Sequence, residues 1–497
     1  MENLKQQTQK SIVWSIIDKV GFQVVTFLVA VITMKMIATD DFGLIQALVI
    51  ITILSSIFVD SGFTAALVRR QNNTNRQYTA VFYFNLAIAI VLYLLFTLLL
   101  PTISKYFKQP ELIDLGKFLF LSIIINALCI IPNILLVKSL NFKQISLSNL
   151  ISAAVSAIVV IWLALLGFGY WALAWQLILQ STVKVIIMWF FSKWKPSTKP
   201  EFKVIKELFA FSSILLLTST VSACTKYIYT MIIGRLYSMS DLGQYGRADK
   251  FQQIISGIVS GALSSVAYPI FAQLNNEKER QLLYFRKITR IAAFLIFPMT
   301  FGLIGTAENF MFCVSKESEW LPAAPFLQIL AISAMFVPFQ SLCSQMLNAI
   351  GKPKWNFYLE MFRNLLIITS LAICIISVKL TFQPFSFNIT FFENNNSISL
   401  FLIGFSAATF LAYLTNILVI GRFIKYSLSN HLKDILPYFA ISAVMCALVF
   451  FTSKLTLNTY LVFVIQCVVG AVFYLGVTAL LGSQVLKDAV NILKGRN

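Results

Sequence analysis

Phe209-Ala-Phe-Ser-Ser-Ile-Leu-Leu-Leu-Thr-Ser-Thr-Val-Ser-Ala-Cys-Thr-Lys226-Tyr-Ile-Tyr-Thr-Met-Ile-Ile233 is long enough to cross a bilayer, yet it carries a lysine well inside. A turn, Gly234-Arg-Leu-Tyr-Ser-Met-Ser-Asp241-Leu-Gly243, follows, and a second segment opens with Gln244-Tyr-Gly-Arg247-Ala-Asp249-Lys250 before running apolar to Ala272. Arg247 and Lys250 are three apart and share a helix face. About 200 residues earlier the pattern is already present. A segment from Ser11 to Ile37 ends in Ala38-Thr-Asp40-Asp41-Phe42-Gly43, and a second runs from Leu44 to Leu67. Helix, tight turn with Asp and Gly, helix: the echo indicates an internal duplication, the architecture in which membrane carriers bind cargo between two copies.

The 497 residues are 58% hydrophobic and 12% charged, with a mean hydropathy of +0.80, which places the chain in the membrane class. A 30 Å hydrocarbon core needs roughly 20 apolar residues per helix. On that rule about fourteen spans are expected: 11–37, 43–66, 79–101, 115–137, 147–166, 170–192, 208–233, 243–272, 288–313, 325–347, 357–378, 399–421, 435–453 and 459–481. The apolar runs are continuous and do not alternate, so an all-α polytopic protein is expected and a strand barrel is not. The first span is interrupted by Asp18-Lys19 and lacks a cleavage-site pattern, so it should be retained. The seven cysteines sit singly in apolar runs, without metal-ligand spacing, and read as small buried residues.

A net charge of +19 could signal nucleic acid, but its distribution points to a membrane. Of 39 Lys and Arg, 25 fall in loops on one side of the spans and 7 on the other. The basic side is expected to be cytoplasmic and to hold both termini, in a multi-pass protein of the bacterial cytoplasmic membrane. The longest basic linker, 193–207, follows the sixth span and separates a six-helix lobe at 1–192 from a second at 208–434. Its Phe202, Ile205, Phe209 spacing fits either a short surface helix or a plain tether. The last two spans and tail, 435–497, fall outside the duplication, are poor in charge and look lipid-facing. The longest outer loop is Leu380 to Ser397.

An ionisable group inside a span costs about 2.5–3.5 kcal/mol on insertion scales, so it normally faces protein or water. The candidates are Asp18 and Lys19 on span 1, Asp60 on span 2, Lys226 on span 7, Arg247, Asp249 and Lys250 on span 8, and Glu360 with Arg363 on span 11. Most lie on spans 1, 2, 7 and 8, the equivalent pairs of the two copies. The cations Lys226, Arg247, Lys250 and Arg363 are the substrate-binding candidates, and Asp18, Asp60, Asp249 and Glu360 the ion-coupling ones. Glu360 and Arg363, three apart, fit a local ion pair equally well, and Asp249 could simply neutralise Arg247 or Lys250. Lys226 has no acid within a turn on its own helix; Ser219, Ser222 and Tyr229 share its face and suit a wet wall. The single histidine, His431, reads as a solvated loop residue. No catalytic constellation, metal-ligand cluster or phosphate-cradling glycine loop is present, so no enzyme activity, metal or cofactor is expected.

Ala38-Thr-Asp-Asp-Phe-Gly43, its counterpart Ser240-Asp-Leu-Gly-Gln-Tyr-Gly-Arg-Ala248, Glu319-Trp-Leu-Pro-Ala-Ala-Pro325 and Leu347-Asn-Ala-Ile-Gly-Lys352 occur in this order across the spans. The arrangement resembles the Wzx-type O-antigen and capsule repeat-unit flippases of the MOP superfamily, relatives of the lipid II flippase and of MATE exporters. The resemblance implies a V-shaped, MATE-like pair of six-helix lobes plus two extra helices, with spans 1, 2, 7 and 8 lining a central cavity and alternating access. It implies undecaprenyl pyrophosphate carrying an oligosaccharide as substrate, membrane lipids around it, and the polysaccharide polymerase and chain-length machinery as partners, with no nucleic acid. Two rival readings are a MATE-type drug or ion antiporter, which expects an acidic cavity, and a membrane polysaccharide polymerase or ligase, which expects catalytic groups and a sizeable outer loop.

Overall fold

The structure, a computed structural model, describes residues 2–60, 62–70, 73–139, 141–197, 199–274, 277–315, 319–381, 396–453, 457–483 and 485–486. Among them there are sixteen helices and no strand, as continuous apolar runs in lipid demand. Twelve helical segments are long and apolar enough to cross a membrane. The first expected span is α1 (Glu2–Met34), whose apolar run among the described residues is Val20–Met34. The seventh is α8 (Lys203–Leu236), 34 residues long and broken up by hydroxyls and Lys226. The tail and most of the Leu380 to Ser397 loop lie outside the described residues.

The chain divides into two compact units, Met1–Gly246 and Arg247–Asn497. The first therefore takes in α8, which the duplicated pattern assigns to the second copy. Besides α1 and α8, unit 1 contains α2 (Thr39–Asp60), α3 (Phe63–Arg69), α4 (Asn75–Phe107), α5 (Leu112–Lys138), α6 (Phe142–Leu165), α7 (Tyr170–Ser192) and the first two turns of α9 (Met239–Gln273). Helix α4 packs on α5, α6 on α7 and α1, and α2 on α5 and α8. Two expected boundaries change. The second span does not run unbroken to residue 66: α2 stops at Asp60 and Gly62 turns the chain at φ +71°, a conformation that strains any other residue. Asp60 holds the break by accepting from the hydroxyl and the backbone N–H of Thr64.

The basic linker is neither a surface helix nor a loose tether. Trp194 is buried against Phe82 and Trp189 and donates to Asn75 at 2.6 Å; the Ser197 N–H donates to Thr79 at 2.8 Å. Residues from Lys203 already belong to α8, with Val204 and Leu208 buried while Phe202 and Phe209 are exposed. The apolar face that decides packing is thus one residue out of phase with the expected one. Aromatic side chains supply large buried area, and here they fix the linker to the N-terminus of α4.

Unit 2 contains the rest of α9, then α10 (Lys278–Val314), α11 (Ala323–Ala334), α12 (Val337–Ala349), α13 (Pro353–Thr381), α14 (Asn396–Ile424), α15 (Leu428–Thr452) and α16 (Thr459–Leu480). One core runs from Phe271 and Phe285 through Phe297 and Phe339 to Tyr413 and Tyr426. The last two helices are lipid-facing on one side only. On α15, Ile435, Tyr438, Ser442, Met445 and Val449 are buried, and on α16, Val462, Gln466, Gly470, Tyr474 and Thr478. These faces pack on each other and on α10. Polar ties fix the seam: Asn309 donates to Gln466 at 3.0 Å and the Tyr474 hydroxyl to the Phe294 carbonyl at 2.8 Å. Such interhelical bonds act as glue where lipid removes the hydrophobic drive. Cys129, Cys313, Cys343 and Cys374 are buried as small apolar residues, whereas Cys224 and Cys467 are exposed; all seven are free.

Candidate functional site

The duplicated turns meet within unit 1. A Cβ added to Gly43 would stand 2.0 Å from the Met239 carbonyl oxygen, and one added to Gly243 would stand 2.1 Å from that of Thr39. Each glycine of the echo therefore receives the backbone of the other copy's turn, an approach open only to a residue without a side chain. The Thr39 and Ser240 hydroxyl oxygens are 2.7 Å apart across the same crossing. Asp40 and Asp41 on α2 and Asp241 on α9 lie in first turns, where carboxylates suit the positive end of the helix dipole. Asp241 also accepts from the hydroxyl of Ser238 at 2.7 Å, which closes the turn.

Lys226 stands exposed on α8, ten residues before the helix ends at Leu236, or about 15 Å at 1.5 Å per residue. Its ammonium lies 5.3 Å from the centre of the Tyr227 ring, and it makes no ion pair among the described residues. Of the residues on its face, Ser219 is exposed and Ser222 half-buried, whereas Tyr229 turns into the core. Asp18 accepts from both sides of one donor: Asn149 Nδ2 lies 3.0 Å and 3.1 Å from its two oxygens, tying α1 to α6. Asp60 is engaged at the α2–α3 break described above.

A cavity of about 270 Å³ opens among α2, α5 and α7 and holds Thr52, Ser56, Ser122, Asn126, Gln180 and Ser181, with no charged group. None of these six drew attention in the sequence. Uncharged polar residues are common enough in spans that only their convergence from three helices marks them.

In unit 2, Arg247 is half-buried near the start of α9 and Lys250 is exposed. Asp249 accepts from Gln253, one turn on, at 2.5 Å. Glu360 and Arg363 on α13 are an ion pair, each side chain about 30% exposed. The densest cluster was not foreseen. Asp434 on α15, its side chain 1% exposed, accepts from Arg286 at 2.8 and 3.0 Å, from Arg290 at 2.8 and 2.6 Å, and from the Tyr426 hydroxyl at 2.8 Å. Burial, then the bond to Asp434, pushes the Tyr426 hydroxyl far above the usual tyrosine range, so it stays a donor. His431, expected to be a solvated loop residue, is instead fully buried on α15, with its Nε2 2.6 Å from the Tyr413 hydroxyl. It lies one helical turn before Asp434 and is carried inward with it.

A family model described as "Polysaccharide biosynthesis protein" matches residues 32–325, more than half the chain. The chain belongs to the polysaccharide biosynthesis protein family. Among its relatives is the succinoglycan biosynthesis transport protein ExoT of Rhizobium meliloti (strain 1021), 27% identical over 354 residues, which are 71% of this chain and 72% of the relative. Another is the teichuronic acid biosynthesis protein TuaB of Bacillus subtilis (strain 168), 27% identical over 435 residues, 85% of each chain. In fold, it matches the lipid II flippase MurJ in an inward closed conformation, with a TM-score of 0.71 and 17% identity over 98% of this chain and 100% of that one. The all-α, many-span fold expected from the motifs is the one found, with twelve candidate spans among the described residues where about fourteen are expected. This polysaccharide biosynthesis protein is a multi-pass membrane protein.

Proposed function

We propose that the protein flips undecaprenyl-pyrophosphate-linked oligosaccharide repeat units across the bacterial cytoplasmic membrane, with both termini in the cytoplasm, by alternating access through a cationic central cavity. The observation that carries this reading is Lys226, an exposed ammonium about 15 Å inside a helix, with no carboxylate paired to it among the described residues. A charge held there costs several kcal/mol unless an anion or water meets it, and a pyrophosphate carries anionic oxygens that an ammonium and a guanidinium bind well. Lys226, Arg247 and Lys250 attract the pyrophosphate or acidic sugars; Arg363, paired to Glu360, adds a weaker, partly neutralised contact. Asp18, Asp60, Asp249 and Glu360 are the groups through which an ion gradient or the membrane potential would couple. The duplicated halves, 1–192 and 208–434 about the 193–207 linker, act as the moving lobes, with 435–497 appended. Polymerase and chain-length machinery receive the product. A cationic drug would seek acids, so the basic excess speaks against the antiporter reading.

Lys226→Ala and Arg247→Ala, expressed at wild-type levels, should each reduce surface polysaccharide export at least tenfold, the effect of one lost charged contact of about 1.4 kcal/mol or more. Lys226→Arg should retain most export. Unchanged export in both alanine variants would remove these residues from the substrate path.

A further inference from the structure

The cavity among α2, α5 and α7 has a chemistry distinct from that of the cations. Asn126 lies 14 residues from one end of α5 and 12 from the other, and Gln180 lies 10 and 12 residues from the ends of α7, so both carboxamides sit at mid-membrane depth. The hydroxyls of Thr52, Ser56 and Ser122 donate back to carbonyls of their own helices at 2.8, 2.8 and 2.6 Å, which leaves their oxygens free to accept. The carboxamides of Asn126 and Gln180 bond no group among the described residues. A carboxamide has two donors and an acceptor with two lone pairs, and leaving it unmet away from bulk water is costly. The cavity therefore offers paired donors and acceptors, hydroxyl acceptors and the apolar sides of Leu119 and Leu177, with no charge to select an ion.

We propose that this cavity is a saccharide subsite that takes one neutral sugar ring of the lipid-linked substrate. Adjacent sugar hydroxyls each donate and accept, which matches the two faces of a carboxamide; the C–H face of the ring packs on leucine. At about 270 Å³ the space falls just below the ~300 Å³ at which drug-sized pockets begin, room for one ring and not for a chain. The proposal rests on the flippase reading, since the sugar reaches this depth only on its lipid.

Binding of the full-length protein in nanodiscs to bare undecaprenyl diphosphate, and to the same lipid carrying glucose, galactose or N-acetylglucosamine, tests it. At least one sugar-bearing lipid should bind the wild type about three- to tenfold more tightly than the bare lipid, the effect of one or two neutral hydrogen bonds. Asn126→Leu, Gln180→Leu and the gentler Gln180→Met should abolish that preference while leaving bare-lipid affinity unchanged. A preference that survives in all three variants, or a wild type indifferent to all three sugars, would overturn the subsite. If the wild type fails to bind bare undecaprenyl diphosphate, the flippase reading falls first and takes the subsite with it.

Discussion

Asp434→Ala is expected to lower the stability of the protein by about 3 kcal/mol. Removing one partner of a buried ion pair typically costs ~3–5 kcal/mol, because the opposing charge is left desolvated and unpaired. Here two guanidiniums lose their common acceptor, but Arg286 and Arg290 are each more than a third exposed, and water screening moves the cost toward the lower end. Tyr426 loses its acceptor as well. The loss should appear as a markedly lower melting temperature of the detergent-solubilised protein. The cost arises from isolation of charge and not from lost packing, so Arg286→Met, Arg290→Met and Asp434→Leu combined should recover most of it. A melting temperature that stays put in Asp434→Ala, or one that falls further in the triple variant, would show that the cluster does not lock α15 to α10.

Gly243→Ala should be comparably damaging, for a steric reason. Its new Cβ would stand 2.1 Å from the Thr39 carbonyl oxygen, and a backbone oxygen cannot rotate away as a flexible side chain can. Relief requires the first turns of α2 and α9 to separate, at a cost in the ~1–3 kcal/mol range of overpacked sites. Gly43→Ala meets the Met239 carbonyl at 2.0 Å and should behave alike. Both singles break one crossing, so the double variant should cost well below their sum. Gly476→Ala, where an added Cβ meets nothing within 4 Å, is the control and should be neutral or slightly stabilising. Export assays and melting curves on the same four variants decide it: full activity and unchanged melting in Gly243→Ala would mean that the crossing is not constrained as its geometry requires.

The echo that can be read in the sequence, Asp41-Phe-Gly43 and Asp241-Leu-Gly243, is also a point where the backbones of the two turns approach closely. Period and turn chemistry are local signals, and both survive into the fold. Long apolar runs likewise announce their helices because in lipid the backbone has no alternative partner. What escaped depends on partners far away in the chain. Asp434 stands at the edge of a span beside a basic loop, the ordinary setting of a solvated acid; only Arg286 and Arg290, 148 and 144 residues earlier, make it a buried hub. His431 is buried through a partner that is likewise invisible locally, the Tyr413 hydroxyl on the preceding helix. Hydropathy is blind to a single residue with positive φ such as Gly62, and Trp194, not the phenylalanine spacing, decides what the linker packs on. The candidate cations could be found because a charge in an apolar run stands out; the carboxamides Asn126 and Gln180 could not, because nothing in sequence brings them together.

Flipping can be measured directly. Purified full-length protein, reconstituted into liposomes loaded with an undecaprenyl-pyrophosphate-linked oligosaccharide, can be challenged with a glycosidase added outside. With the wild type the enzyme should digest the whole pool, inner leaflet included, while protein-free liposomes surrender only their outer-leaflet share and the Lys226→Ala variant releases its inner-leaflet share about tenfold more slowly or worse. Wild-type liposomes in which the inner-leaflet oligosaccharide stays protected would contradict flipping.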